Sequence, residues 1–318
     1  MKPMRLRAIS RGTAPIAVAN ELYRATNADV RREAVRLLRD ADVARRLPTP
    51  VEDLVAAAGL VRGSDEIFAE HVLARAPKEL QDAVRRLAGK VRAMLDRHER
   101  EIYVSPDITL TGRRNFQTLH EVGHERLPWQ ERLAYADDDV RLSWGTHIRF
   151  EREANEFASE VLFQSTFFTD VASQYAIGMA SIVELSEMFG ASFHATLRRY
   201  AVTHAAAVCG VVIECTSCCK TPLSYRRHEA FATDSWKGRF PDPGSWPTVL
   251  SQPAFPFLSA APQARLLPMA AEAEWSLVDG GGEVVPLRVE LFSNSYRTLV
   301  LIWVPRRERL KRHPKLGG

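Results

Sequence analysis

Residues 115–129 read NFQTLHEVGHERLPW, which places His120 and His124 four positions apart with Glu121 directly after the first. On an α-helix, positions i and i+4 share a face, so both imidazoles can direct a ring nitrogen at one metal ion. Glu121, one step round the helix, can then reach a water bound to that ion and act as its general base. The spacing therefore predicts a hydrolytic metal centre.

A catalytic zinc ion needs three protein ligands and one open position, so a third ligand must come from elsewhere in the chain. The stretch SWGTHIRFEREANEFASEVLF predicts a second helix and places Glu151 and Asn155 four positions apart. Glu151 could bind the ion while the Asn155 amide orients a histidine ligand through its free ring nitrogen. His147 is a rival ligand by residue type, although it precedes the clearly helical part. Glu153 and Glu156 are predicted to face other directions.

Helices and one short strand must position these residues. Gly123 lies inside the predicted helix that carries the two histidines. Glycine costs about 1 kcal/mol there relative to alanine, so its presence indicates close backbone packing. The stretch EIYVSPDITL, residues 101–110, predicts a short strand that runs into a turn before that helix. Further upstream, apolar spacing predicts a helix in the stretch that ends at Arg46, a short helix from Pro50 to Gly59, and a long amphipathic helix from Pro77 to Arg100.

The stretches FQTLHEVGHE and EREANEFASEVLF together resemble the ImmA/IrrE metallopeptidases. In that family a His-Glu-x-x-His helix is followed by a helix with Glu, Asn and Phe-Ala before an aliphatic pair. The resemblance covers roughly residues 51–164 and implies that Glu151 is the third ligand. The sequence departs from the family at Phe163 and Gln164, where Met-Pro is common. Zinc is the expected ion, with manganese as an alternative.

Downstream of the metal helices, the sequence predicts a helix pair and then strands. SIVELSEMFGASFHATLRRYA predicts a helix-turn-helix-like pair with Ser192 as the cap of the second helix. The pair could bind DNA, but its one basic pair, Arg198 and Arg199, favours packing over base reading. AAVCGVVIEC, VVPLRVELF and TLVLIWVP predict strands, the last two as neighbours joined by SNSYR. The residues between the first two of these strands, rich in Pro, Trp and Phe, predict long loops.

These elements predict an α+β chain built in four parts. Residues 1–46 are expected to form an N-terminal helical extension, and residues 47–165 a mainly helical, zincin-like metallopeptidase domain with a small sheet. Residues 166–206 hold the helix-turn-helix-like segment. Residues 207–318 are expected to form a β-rich C-terminal domain with a basic tail.

The four cysteines all lie within residues 209–219, whereas a disulfide framework would spread them along a small secreted chain. Reduced thiols are therefore expected. Cys215 and Cys218 have half of a zinc-ribbon spacing, but no second pair follows. A structural metal bound by Cys215, Cys218, Cys219 and His228 is an alternative interpretation, and redox sensing is a third.

Composition excludes several classes of protein. The chain has 318 residues, 46% of them hydrophobic, which is enough for two or three cores and unlike a disordered tail. No apolar run approaches the ~20 residues of a membrane helix, and the N-terminal charges are not followed by a signal-like segment. The net charge of +4 is too small to argue for nucleic acid by itself. We expect a cytoplasmic protein without a membrane partner.

Two functional hypotheses follow. The first is a zinc-dependent, site-specific endopeptidase, and the resemblance implies a helix-turn-helix repressor as its protein substrate, cut in stress response or mobile-element regulation. The strand EIYVS is expected to be an edge strand that pairs with extended substrate at Tyr103. The acidic run Asp137–Asp139 could meet a basic partner, although a solvated loop is favoured. The alternative is a non-catalytic metal-binding regulator or a DNA-binding module, whose affinity for DNA would fall steeply with salt.

Overall fold

The computed structural model describes residues 26–64, 93–130, 144–216, 223–265, 270–293 and 297–305. Within these ranges the chain is a mixed α/β protein, with most helices before residue 204 and the larger sheet after it. A small sheet, a helix pair and a β-rich C-terminal part are all present, and the predicted α+β class is confirmed.

The described elements follow one another along the chain in a simple order. The helices are α1 (Asn27–Asp40), α2 (Val51–Ala57), α3 (Thr111–Arg126), α4 (Trp144–Leu162), α5 (Thr166–Ala172), α6 (Met179–Phe189), α7 (Phe193–Thr203) and α8 (Asp234–Lys237). The strands are β1 (Val61–Arg62), β2 (Ala93–Asp96), β3 (Glu101–Val104), β4 (Val208–Cys215), β5 (Ser224–Ala232), β6 (Val249–Ser251), β7 (Ala271–Val278), β8 (Val284–Ser293) and β9 (Thr298–Trp303).

Helix α1 begins at a capping box, because the Thr26 hydroxyl accepts a hydrogen bond from the Asp29 backbone N–H and the Asp29 carboxylate accepts one from the Thr26 N–H. Its predicted apolar stripe is buried and joins the core that α2, α3 and α4 share: Val30, Ala34, Leu37 and Leu38. The N-terminal segment therefore contributes directly to the core of the metal helices. The boundaries of the four predicted parts stay predictions.

The small sheet has the strand order β1-β3-β2, in which β3 pairs in parallel with β1 and antiparallel with β2. The predicted helix from Pro77 to Arg100 is wrong at its end, because residues 93–96 are β2 and residues 97–100 form a turn. The Asp96 carboxylate accepts hydrogen bonds from the backbone N–H groups of His98 and Glu99, which stabilises the turn at the expense of a helix. Residues 77–92 of that prediction lie outside the described residues.

Helices α3 and α4 cross closely at Gly123. A Cβ atom at this position would lie 3.1 Å from Phe157 Cδ1 and 3.3 Å from Ala154 Cα, and both neighbours are fully buried. The close packing predicted at Gly123 is therefore confirmed. It brings the backbones of α3 and α4 near enough for polar side chains of both helices to meet.

Gly123→Val is expected to lower the free energy of unfolding by about 1–3 kcal/mol, because three added carbons must displace Phe157 or the α4 backbone. Chemical denaturation measures this difference. Arg113→Val, at an exposed position of the same helix, is the matched control and should cost under about 0.7 kcal/mol through helix propensity alone. Equal losses in the two variants would contradict the assigned close approach.

Helices α6 and α7 form the predicted pair. Gly190 ends α6 in the left-handed conformation with φ 64°, and the Ser192 side chain caps α7 by accepting a hydrogen bond from the Ala195 N–H. Arg199 of α7 is buried in an ion pair with Glu160 of α4, at 2.7 Å between Nη1 and Oε1. Arg199 is therefore engaged in an ion pair inside the protein. DNA binding stays a prediction that we do not favour.

The larger sheet is antiparallel, with the strand order β6-β5-β4-β9-β8-β7. The predicted pairing of β8 with β9 is confirmed. The prediction of long loops between Cys215 and Val284 is wrong, because β5, β6 and β7 lie there. Exposed charges interrupt the apolar pattern of these strands, and buried aromatic residues of α8 and of the other connecting segments supply part of their core: Trp236, Phe240, Phe255 and Phe257.

The end of α4 is held by Gln164, one of the two positions where the sequence departs from the family pattern. Its buried side chain accepts a hydrogen bond from the Arg45 N–H and donates to the Arg46 carbonyl and the Thr49 hydroxyl. These bonds join the end of α4 to the segment that enters α2. Across the described residues, none of the helices has the length and apolar character needed to cross a membrane.

Candidate metal centre

Helix α3 presents His120 and His124 on one face, as their spacing predicts. Their Nε2 atoms lie 3.1 Å apart, and the two rings meet edge to face. Both side chains are largely buried, at 10% and 18% exposed. The two nitrogens therefore converge on one point.

Helix α4 brings Glu151 to the same point. One carboxylate oxygen of Glu151 lies 3.3 Å from His120 Nε2 and the other 3.3 Å from His124 Nε2. The Glu151 side chain is 59% exposed, so the centre opens to solvent on this side. His147 lies on α4 rather than before it, is exposed, and does not belong to this group of possible ligands.

Amide side chains fix the orientation of both imidazoles. The Asn155 Oδ1 atom lies 3.2 Å from His120 Nδ1, and the Gln130 Oε1 atom lies 2.8 Å from His124 Nδ1. An amide oxygen only accepts hydrogen bonds, so each ring donates its Nδ1–H and is left with a lone pair on Nε2. Two imidazole lone pairs and a carboxylate thus face one another.

This arrangement fits a bound cation. Ligand atoms about 2.0–2.1 Å from a tetrahedral zinc ion lie roughly 3.3 Å from each other, close to the three separations between His120, His124 and Glu151. Nitrogen and carboxylate ligands suit zinc, and the same donor types bind other divalent metals. The group can hold a metal ion.

Charges in the centre shift the ionisation of its members. Burial raises the pKa of the Glu121 carboxyl. Hydrogen bonds from His120 and His124 hold the pKa of Glu151 well below its usual range. Burial alone would lower the pKa of His124, but its bonds to Glu151 and Gln130 and the nearby charge of Glu121 raise it. A proton and a metal ion therefore compete for the same lone pairs.

Comparison with known proteins agrees with this geometry. Residues 86–200 match the peptidase M78 family model, which is described as the IrrE N-terminal-like domain. This range of the chain is therefore similar to the IrrE N-terminal-like domain. The matched range includes α3, α4 and the helix pair, and with them His120, His124 and Glu151.

Two further comparisons add little to the family match. A solved structure described as a Mycobacterium tuberculosis transcriptional regulator is similar at 15% sequence identity and a TM-score of 0.41, over 86% of this chain and 94% of that chain. Similarity this weak says nothing of what this chain does. No curated protein matches the chain.

The substrate strand that we predicted at Tyr103 needs correction. Strand β3 is the central strand of its sheet, because β1 pairs with one side of it and β2 with the other. Tyr103 faces Met94 in this register, and its backbone lies in an occupied ladder. Substrate cannot add to β3 as we predicted. The edge next to α3 is instead β2, within the described strands.

Of the predicted cysteine cluster, the described members Cys215 and His228 do not belong to the metal centre. Cys209 is a buried free thiol, whereas Cys215 is disulfide-bonded, and its partner lies outside the described residues. The reduced state predicted for Cys215 is therefore wrong, and an oxidised sulfur offers no thiolate to a metal. His228 instead pairs with Glu214 at 2.5 Å. Cys218, Cys219 and the acidic run 137–139 lie outside the described residues, and the second metal site stays a prediction.

Sequence reasoning missed the group that orients His124. Gln130 lies four residues beyond the end of α3, and Glu153 of α4 was predicted to face elsewhere. Glu153 is buried and accepts hydrogen bonds from Gln130 and Trp129. One feature of the sequence indicates this group. A glutamate on the apolar face of a helix requires polar partners.

Proposed function

We propose that this chain is a zinc-dependent endopeptidase that cuts a helix-turn-helix transcriptional repressor at a single site. The observation that supports it is the convergence of His120 Nε2, His124 Nε2 and the Glu151 carboxylate within 4.8 Å, next to the buried carboxyl of Glu121. The family match supports peptidase chemistry at this centre. The repressor substrate, and a role in stress response or mobile-element regulation, rest on the resemblance alone.

Each residue of the centre has a different role in peptide hydrolysis. His120, His124 and Glu151 would hold the ion. Zinc, when bound, acts as a Lewis acid on the scissile carbonyl and makes a neighbouring water more acidic. Glu121 accepts a proton from the water as the water oxygen bonds to the carbonyl carbon. It then returns this proton to the amide nitrogen as the carbon–nitrogen bond breaks.

The test is incubation of the zinc-loaded protein with helix-turn-helix repressors encoded near its gene, read by intact mass. We expect two fragments whose masses add up to one repressor plus one water, and no cleavage after chelation. Stoichiometric zinc without cleavage of any repressor would instead favour the non-catalytic regulator. Processive degradation of unfolded casein would show a general peptidase.

Glu151→Ala is expected to weaken zinc binding at least about 100-fold, because it removes one of three protein ligands and leaves a two-histidine site. Competition with a chromogenic chelator measures the affinity. His147→Ala, four residues earlier on the same helix, is the matched control and should bind zinc as the unaltered protein does. Zinc affinity that falls in His147→Ala and not in Glu151→Ala would assign the third ligand to His147.

A further inference from the structure

The two histidine ligands are oriented by very different surroundings. Asn155, beside His120, is an exposed residue at 3.2 Å from the ring nitrogen. Gln130, beside His124, is 1% exposed and lies at 2.8 Å. Water therefore does not compete with His124 for the Gln130 amide oxygen.

The Gln130 amide is held at both ends. Its Oε1 faces His124 Nδ1, and its Nε2 donates to Glu153 Oε2 at 2.9 Å and to the Phe150 carbonyl at 3.3 Å. The two acceptors around the amide nitrogen set the orientation of the amide, since a reversed amide would place its oxygen against them. The oxygen must then point at His124.

Glu153 supplies charge behind this amide. Its Oε2 atom also accepts the Trp129 indole N–H at 2.7 Å, and its Oε1 atom lies 3.6 Å from Arg149 Nε. A buried carboxylate that accepts from an amide N–H polarises the amide and makes its oxygen a stronger acceptor. Stronger acceptance at Nδ1–H raises the basicity of the opposite ring nitrogen, which faces the metal.

We propose that Gln130, anchored by Glu153, is a positioning residue that holds the His124 ring in the tautomer and direction needed to bind the metal. The proposal rests on the metal centre of the proposed function. It does not depend on whether that centre cuts peptides. It links α4, which carries Glu151, to the second histidine of α3 through a path separate from Glu151 itself.

Removal of the amide tests the proposal by metal affinity. Gln130→Leu keeps the approximate volume and loses all three hydrogen bonds of the amide, and we expect zinc affinity to fall about 10–100-fold. Thr49→Val, which removes a buried hydrogen bond to the Leu162 carbonyl and one from the Gln164 amide at the other end of α4, is the control for general loosening. Its affinity for zinc should not change. Unchanged affinity in Gln130→Leu, or an equal loss in Thr49→Val, would overturn the proposal.

A double substitution at Gln130 and Glu153 controls for misfolding of the single variants. In Gln130→Glu combined with Glu153→Gln, the new carboxylate accepts from His124 Nδ1–H and from the new amide, so the bonds from His124 to residue 153 and the net charge are kept. The Trp129 indole N–H and the Phe150 carbonyl lose their partners. Gln130→Glu alone places two buried carboxylates together and should bind zinc more weakly. We expect the double variant to recover part of the affinity that the single variant loses. Failure to recover it would contradict the relay from Glu153.

A spectroscopic measurement separates ring positioning from stability. In the zinc-loaded protein, the Nδ1–H proton of His124 should exchange slowly with water and give a resolved imidazole resonance. Gln130→Leu should lose this resonance and keep that of His120, which Asn155 holds. A His124 resonance that persists in Gln130→Leu would sink the proposal. Failure of the unaltered protein to bind any metal would overturn this proposal together with the proposed function, whereas zinc binding without cleavage would overturn the proposed function alone.

Discussion

Glu121→Gln is expected to keep stoichiometric zinc and to lose about 10²–10⁴-fold of the cleavage rate, because an amide cannot accept the proton of the attacking water. Glu121 is 8% exposed and lies beside His120 on α3, but it is not one of the three predicted ligands. Metal content should therefore not follow activity in this variant. Single-turnover cleavage and metal analysis of the same sample measure both quantities.

The matched control for this experiment is Glu125→Gln on the same helix. Glu125 pairs with Arg100 and Arg97 and stands outside the metal centre. Its variant should cut the substrate at nearly the unaltered rate. Full activity in Glu121→Gln would show that another group takes the proton, and loss of zinc in it would show that Glu121 helps to hold the ion.

Glu160→Gln is expected to lower the free energy of unfolding by about 3–5 kcal/mol, since it leaves the buried Arg199 without its carboxylate. Glu160 is fully buried on α4 and bonds to Arg199 through both of its oxygens, with Arg31 of α1 at 3.3 Å. The change therefore loosens α4 from both α7 and α1. Urea unfolding measures the difference.

The control is Glu229→Gln, the same chemical change in a partly exposed pair. Glu229 lies 3.6 Å from Arg198, whose side chain is 65% exposed, and a pair of this kind contributes only about 0–1 kcal/mol. Comparable losses in the two variants would contradict the assigned role of the buried pair.

The effect of Glu160→Gln should also depend on pH. Burial alone would raise the pKa of Glu160, but hydrogen bonding and charge from Arg199, with Arg31, lower it. A carboxyl whose pKa is lower in the folded state stabilises the protein above its unfolded pKa of about 4.3, and this contribution is lost as pH falls through the folded pKa. The stability difference between the unaltered protein and Glu160→Gln should therefore be full at pH 7 and shrink below about pH 4.

Local patterns were sufficient to predict the elements that carry the metal centre. The apolar spacing of α1 and α4 is periodic because each helix buries one face, and the glycine in α3 marks a close crossing that only tertiary contact explains. The error at residues 93–96 arose because apolar residues three and four apart also fit a short strand that is followed by a turn. Residues 93–96 form a strand because they pair with β3. This contact with another segment outweighs the local helix propensity.

The sequence by itself determined which residues can bind a metal, because side-chain chemistry and the i, i+4 geometry of a helix are local properties. It also determined that Glu151 lies on a helix one turn before Asn155. Only the tertiary structure decided that β3 is a central strand and that Gln130 and Glu153 lie behind His124. Strand order and the partners of buried polar groups depend on contacts between segments far apart in the chain, and no local spacing encodes them.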